Sequence, residues 1–278
     1  MAGFVDSVAD FRAGVLKCGL EAKYDIFVER KWDTYAKFAF ASSFQPGSPD
    51  ETPFLKQVVK AITGEESADS EWVSPLRRLY FEAHTYCTAD LRARVERTED
   101  DKPRKMSVEE KEARQTRVAP NLEGLDPDDV HDPSEGLIDY IHQMYEDHAV
   151  RYPSWELCTS RSEELRGIKK HTQWKPDGNG IVRNTTVTTG PSATVGESLD
   201  LSDIFVRRGF ALEMGLVMTF KSHRKLANRL MAAYRSKPPP GYAPVTLTQI
   251  RNADVKFWEL AGQLTRKGIK IPSGAPVL

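Results

Sequence analysis

The stretch from residue 96 to residue 135, ERTEDDKPRKMSVEEKEARQTRVAPNLEGLDPDDVHDPSE, limits the fold of this chain more than any other. It is dense in charge, poor in aromatic side chains and broken by four prolines. Such a segment has too little apolar surface to carry a core through itself, and each proline ends or bends a helix that reaches it. It reads as a partly ordered linker between two helical units, in a chain long enough for one large core or two smaller ones. We expect an N-terminal helical unit over 1–96, a charged linker over 97–133 and a C-terminal helical unit over 134–278. Inside the linker, Ser107 and Glu110 stand in capping-box spacing, so a solvated helix starts there.

On both sides the hydrophobic period is helical. Residues 4–16 place Phe4, Val5, Val8, Phe11, Val15 and Leu16 on one face. Tyr24, Phe27, Trp32, Tyr35, Phe38 and Phe40 crowd the next span and suit short helices joined by tight turns. Thr52 before Pro53 reads as an N-cap with proline in the first turn. A long helix over 71–95 turns Trp72, Leu76, Leu79, Tyr80, Ala83, Tyr86, Cys87 and Leu91 inward. A helix over 134–152 buries Leu137, Ile138, Ile141, Met144 and Tyr145. SKPPPGYAP (236–244) is a rigid, extended connection. The last helix, over 246–267, aligns Leu247, Ile250, Ala253, Phe257, Leu260, Ala261 and Leu264 in one stripe. Gly268 follows Arg266 and Lys267 as its stop.

One segment breaks the period. In KKHTQWKPDGNGIVRNTTVTTGP (169–191), β-branched residues flank an Asp177-Gly178 turn signal, which predicts a hairpin over 168–188. Ile168, Trp174, Ile181, Val182 and Val187 are too few to build a core, and an isolated hairpin is marginal in water. It packs on the chain's own helices or reaches a neighbouring copy. The expected fold is mainly α: one or more multi-helix bundles, with one β-hairpin inserted in the C-terminal half.

Composition narrows the class. About 40% of the residues are hydrophobic and 28% charged, as in soluble globular proteins, and no apolar run approaches a membrane span. MAGFVDSVADFRAG has neither the basic nor the apolar region of a secretory leader. Cys18, Cys87 and Cys158 are odd in number and far apart, which suits free thiols in an intracellular setting, cytoplasmic or nuclear. The net charge of −1 hides an imbalance: residues 199–278 hold 13 Lys or Arg against 5 Asp or Glu, and the remainder 26 against 35. Such asymmetry points to nucleic-acid contact or complementary self-association.

Four blocks, AKFAFASSFQPGSPDETPF, LRARVERTEDD, GFALEMG and PPPGYAPVTLTQIRNAD, occur together between Ala36 and Asp254. As a set they resemble a family of uncharacterised proteins widespread in dinoflagellate genomes, often in mobile-element-like surroundings. The resemblance brings no activity or functional residue with it. It implies only the setting in which accessory proteins of mobile elements and viruses work, often coat-like or nucleic-acid-binding.

Motifs for chemistry are sparse. His84 and Cys87 lie three apart on the long helix, as two metal ligands can, but no second pair has ligand spacing. The acidic loop 126–135 gathers Asp126, Asp128, Asp129, His131, Asp132 and Glu135, yet its spacing fails the calcium-loop pattern, and capping of the next helix by Asp132 or Ser134 accounts for part of it. DGNG lacks the Lys-Ser/Thr of a phosphate loop. We therefore expect no catalytic residue, no bound metal and no cofactor. Cations and aromatics interleave in RGIKKHTQWK, through Arg166, Lys169, Lys170, Trp174 and Lys175, where charge suits phosphate and Trp suits a stacked base. Arg207, Arg208, Lys221, Arg224, Lys225 and Arg229 form a second basic group. The reading favoured by these residues is a non-enzymatic, self-assembling nucleic-acid-binding protein of the coat or nucleoprotein kind, with RNA or DNA as partner, self-association for which 168–188 is the candidate arm, and no membrane partner. A helical protein–protein adaptor is the first alternative, and a metal-dependent enzyme using the loop 126–135 the second.

Overall fold

A serine hydroxyl starts the first helix. Ser7 Oγ accepts from the Asp10 N–H at 3.2 Å, satisfying one of the donors that a helix N-terminus leaves open. The computed structural model describes residues 4–66, 68, 70–95, 105–122, 124–125, 130–167, 169–176, 182–189, 193, 198–266 and 268, without the side chains of 94, 169–176, 182–189 and 198–199. The chain divides into two units: Met1–Lys102 with Met106–Ala113, and Pro103–Lys105 with Arg114–Leu278. The fold is mainly helical.

In the first unit, helix α1 (Val8–Lys17) leads through α2 (Tyr24–Glu29) to α3 (Tyr35–Ala39), which Thr34 caps by accepting from the Lys37 N–H. Next, α4 (Thr52–Phe54) passes through a widened turn, Leu55–Val59, into α5 (Lys60–Thr63). Thr52 is the first helical residue rather than the cap, and Gly64 stops α5 at φ 85°, where a side chain would be strained. Helix α6 (Val73–Val95) packs on α3. A web of rings joins α1, α2, α3 and α6: Phe11 to Phe27 at 5.6 Å between centroids, Phe27 to Phe38 at 5.2 Å and Phe38 to Tyr80 at 5.7 Å. A methyl on Gly14 would strike the Tyr35 hydroxyl, so glycine lets α3 approach α1.

The expected faces need trimming. Val8 and Leu16 lie at the surface, while Val5, Phe11 and Val15 are buried. On α6, Val73, Leu76, Leu79, Tyr80, Ala83 and Cys87 are inside, but Tyr86 and Leu91 are exposed. The stretch expected to be a linker also contains packed residues. Helix α7 (Val108–Val118) spans the division between units, and Met106, Arg114, Val118 and Leu122 are buried. Ser107 Oγ accepts from the Glu110 N–H and donates to Asp10 Oδ2 at 2.8 Å, while Ser7 Oγ donates to Glu110 Oε2 at 2.6 Å. The capping residues tie back to α1 instead of facing water.

In the second unit, Ser134 caps α8 (Glu135–Glu146), whose Leu137, Ile138, Ile141, Met144 and Tyr145 are buried as their period requires. Helix α9 (Arg161–Gly167) follows. The backbone of β1 (Lys169–Pro176) then runs antiparallel to β2 (Val182–Thr189), with Lys169 opposite Thr189. The turn 177–181 lies outside the described residues, and so does what covers these strands. Helices α10 (Ser198–Met214), α11 (Phe220–Arg235) and α12 (Leu247–Leu264) complete the unit, α10 packing on both α8 and α11, and α11 on α12. Thr246 and Gln249 form a reciprocal capping box at the start of α12. Its buried stripe is Ile250, Asp254, Trp258 and Ala261, whereas Leu260 is 48% and Leu264 85% exposed. The expected apolar stripe is thus rotated, because the buried line includes a carboxylate.

Candidate nucleic-acid interface

The centre of the second unit explains that carboxylate. Asp254 is wholly buried and takes both arms of the Arg208 guanidinium, Nη1 to Oδ2 at 2.7 Å and Nη2 to Oδ1 at 2.8 Å. Trp155 Nε1–H donates to Asp254 Oδ2 at 2.7 Å. Arg208 Nε–H donates to His223 Nε2 at 3.0 Å, and its Nη1 also reaches the Pro153 carbonyl at 3.3 Å. The guanidinium lies 5.0 Å from the Phe205 ring centre and 5.5 Å from that of Trp258. Burial works against the charge on Arg208, but the Asp254 carboxylate outweighs it and holds the group cationic. His223 has the opposite fate. Burial first, and the Arg208 charge second, push it well below its ordinary range. It is a neutral imidazole whose Nε2 accepts, so its proton sits on Nδ1.

Two of the sequence candidates are corrected here. Arg208 is 0% and Arg207 5% exposed, so neither offers a charge to phosphate. Arg207 is used within the fold: Nε donates to the Cys158 carbonyl and Nη1 to the Val130 carbonyl, each at 2.9 Å. Both arginines support the helix packing.

The remaining basic group sits on α11, which holds five Lys or Arg and no Asp or Glu. Buried Phe220, His223, Ala227, Leu230 and Met231 fix its inner face. Lys221, Lys225 and Arg229 recur every fourth residue on the outer side and are exposed, with Arg235 further along and Arg224 half-buried at the edge. No ion pair among the described residues engages Lys221, Lys225, Arg229 or Arg235. The N-terminus of α11 is held by Glu213, which takes the Phe220 N–H at 2.6 Å and the Asn121 amide at 2.7 Å. Gly209 lets α10 approach α11, since a methyl there would come within 2.8 Å of His223 Nδ1.

Between α10 and α11 lies a cavity of about 280 Å³, walled by Phe205, Val206, Phe220, Ala227 and Met231, with Arg224 and Asn228 among its polar residues. Phe205 and Phe220 are each 2% exposed, which leaves no ring face on which a base could stack.

The other sequence candidates fall elsewhere. Arg166 is exposed at the end of α9, and the side chains of Lys169, Lys170, Trp174 and Lys175 lie outside the described residues. So do Asp126, Asp128 and Asp129 of the acidic loop, while His131 Nε2 lies 3.4 Å from Asp203 Oδ1 and Glu135 pairs with Arg161 at 2.7 Å. His84 is half-buried beside the Phe40 and Tyr80 rings, and all three cysteines are buried free thiols, Cys158 pushed up to about 12 by burial. Among the described residues, no three His, Cys, Asp or Glu side chains group as metal ligands, and no helix is long and apolar enough to cross a membrane. The buried partners His223, Asp254, Trp155 and Trp258 escaped the sequence reading. The available signal was phase: Arg208 follows Leu201, Ile204 and Phe205 on the inner face of α10, and Asp254 lies between Ile250 and Trp258 on α12.

Comparison with protein-family models, curated proteins and solved structures finds no match.

Proposed function

We propose that this chain binds nucleic acid through the outer face of α11, as a non-enzymatic, self-assembling protein of the coat or nucleoprotein kind. The observation that carries the reading is a helix with five cations and no anion, whose exposed Lys221, Lys225, Arg229 and Arg235 engage no ion pair among the described residues. Unpaired cations along one helix face match the spaced charges of a phosphate backbone, and counterion release drives their association. The adjoining cavity adds no stacking platform, so what α11 itself offers is charge for the phosphate backbone. Arg166 and the cations of 169–175 extend the same proposal, and the hairpin over 168–188 serves as the arm that reaches a neighbouring copy, since two strands alone are marginal in water. The resemblance to the dinoflagellate family supports a mobile-element or viral setting.

Titration of a fluorescent single-stranded oligonucleotide over a range of salt tests the reading. The expected result is a linear fall of log affinity with log salt. Its slope becomes shallower by ~0.7 to 0.9 for each phosphate that Lys221→Gln, Lys225→Gln and Arg229→Gln variants no longer neutralise. Salt-insensitive binding, or an unchanged triple variant, overturns it.

A further inference from the structure

The connection between α11 and α12 lies outside the α11 face proposed for phosphate, and it has a pattern of its own. Lys237 to Pro244 reads KPPPGYAP. Pro239, Pro240, Gly241 and Tyr242 are all exposed, and Tyr242 keeps 74% of its surface in water. Among the described residues, no hydrogen bond, ring contact or cation engages the Tyr242 side chain. Three consecutive prolines followed closely by an unused aromatic are more than a spacer needs. Other exposed turns of this chain, such as Gln45 to Ser48, manage with one proline and no ring.

We propose that residues 238–242 are a docking peptide for a WW domain, a small module with an aromatic-lined groove. The arrangement Pro239-Pro240-x-Tyr242 is the proline-proline-x-tyrosine pattern such grooves accept. In a polyproline II helix, residues three apart share an edge, so Pro239 and Tyr242 present one side while Pro240 fills the gap between them. Aromatic side chains clamp the proline rings, and the amphipathic tyrosine enters the neighbouring pocket. The prolines hold φ in the bound range beforehand and lack an N–H to leave unsatisfied, so docking orders little. Thr246 anchors the far end through its capping box, and the loop leaves α11 at Arg235, which keeps both ends fixed at the surface.

One feature of the free loop resists docking. The Tyr242 N–H donates to the Pro239 carbonyl at 3.1 Å and Gly241 has φ 86°, which together make a turn of type II. The bound peptide is extended, so this turn opens. What is given up is one hydrogen bond in water, and the position between Pro240 and Tyr242 tolerates any side chain in the motif. A residue that cannot hold the left-handed conformation therefore strengthens binding instead of weakening it.

The test uses the full chain and a purified, isotope-labelled WW domain of known proline-proline-x-tyrosine specificity, followed by NMR titration, with an SH3 domain as control. Expected are saturable shifts confined to the aromatic groove, a loss of affinity of about tenfold or more in Tyr242→Ala and in Pro240→Ala, and a tighter complex with Gly241→Ala. Circular dichroism of each variant confirms that the helices remain. Absence of groove shifts, shifts that survive Tyr242→Ala, or equal binding to the SH3 domain overturns the proposal. A Gly241→Ala chain that binds no tighter refutes the opening of the turn.

Discussion

In the N-terminal unit the centre is made of rings, Phe11, Phe27, Phe38 and Tyr80, each wholly buried and in edge or tilted contact with the next. The corresponding place in the C-terminal unit is taken by Arg208 and Asp254, both 0% exposed, with His223 and two tryptophans around them. The first centre is held by burial of apolar surface, which adds up piece by piece and tolerates small losses. The second depends on mutual satisfaction. Removing two ions from water is expensive, and only the bidentate pairing and the further hydrogen bonds offset that cost. Such a centre is no stronger than a packed apolar one, but it fails more abruptly when one member is removed.

The sharpest break of this comparison is Asp254→Ala. It leaves the Arg208 charge buried, frees the Trp155 indole N–H and takes away the acceptor that orients the whole group. Loss of one partner of a buried pair costs about 3–5 kcal/mol. Denaturant unfolding followed by amide hydrogen exchange should show the loss in peptides of α10 and α12 and not in those around Phe38. The double variant Arg208→Met with Asp254→Leu should be less destabilised than Asp254→Ala alone, because no ion then stays buried. A double variant as unstable as the single one would mean that the charges are not what makes this centre brittle.

That difference also decides what could be read in advance. In α8 the buried positions Leu137, Ile138, Ile141, Met144 and Tyr145 are all apolar, so the period alone locates them. In α12 the apolar period points to Leu260 and Leu264, because a buried aspartate breaks the pattern that periodicity detects. Arg207 and Arg208 depart from expectation for the same reason: an arginine in a sequence reads as surface charge until its buried partners are known. For Lys221, Lys225 and Arg229 no such partner exists among the described residues, and residue type and position agree. The cap at Ser107 is legible from spacing, but the bonds of Ser107 to Asp10 and of Glu110 to Ser7 join residues about a hundred positions apart, beyond any local pattern.

Acid acts on the two units with opposite sign. His223 is neutral in the folded chain and held below its ordinary value of 6.5, so the unfolded chain binds more protons as pH falls through that value. Its contribution is fully present above 6.5 and is lost as pH falls toward the depressed folded value, by up to about 1.4 kcal/mol per pH unit. In the N-terminal unit Asp10 is raised above its ordinary 3.8, chiefly by burial, with Ser107 and Ser7 opposing. Here the folded chain binds the proton more readily, so stability from this group rises as pH falls through the raised value toward 3.8. Hydrogen exchange at about pH 7, 6 and 5, in steps of about one unit, should therefore show the α10–α12 peptides loosening first, and His223→Gln should flatten that response. Equal loosening of both units, or a response untouched by the substitution, breaks the distinction.

The smallest expected effect tests which face of α12 is the inner one. Leu264 is 85% exposed and Leu260 48%, while the less apolar line of Ile250, Asp254, Trp258 and Ala261 packs inward. If burial and not side-chain type sets the energetics, Leu264→Ser removes almost no buried area and changes stability by less than about 0.5 kcal/mol. Trp258→Ala, less than two turns earlier on the other face, empties a site in contact with the Arg208 guanidinium and costs about 3–5 kcal/mol. Thermal unfolding of the two variants side by side reads the contrast directly. A large loss from Leu264→Ser would place the apolar stripe inside after all, and with it the inward face of the helix that carries Asp254. A negligible one leaves the ionic centre as the reason α12 turns Leu260 and Leu264 toward water: the helix can direct only one face inward, and the face with a partner for its carboxylate takes precedence over the greasier one.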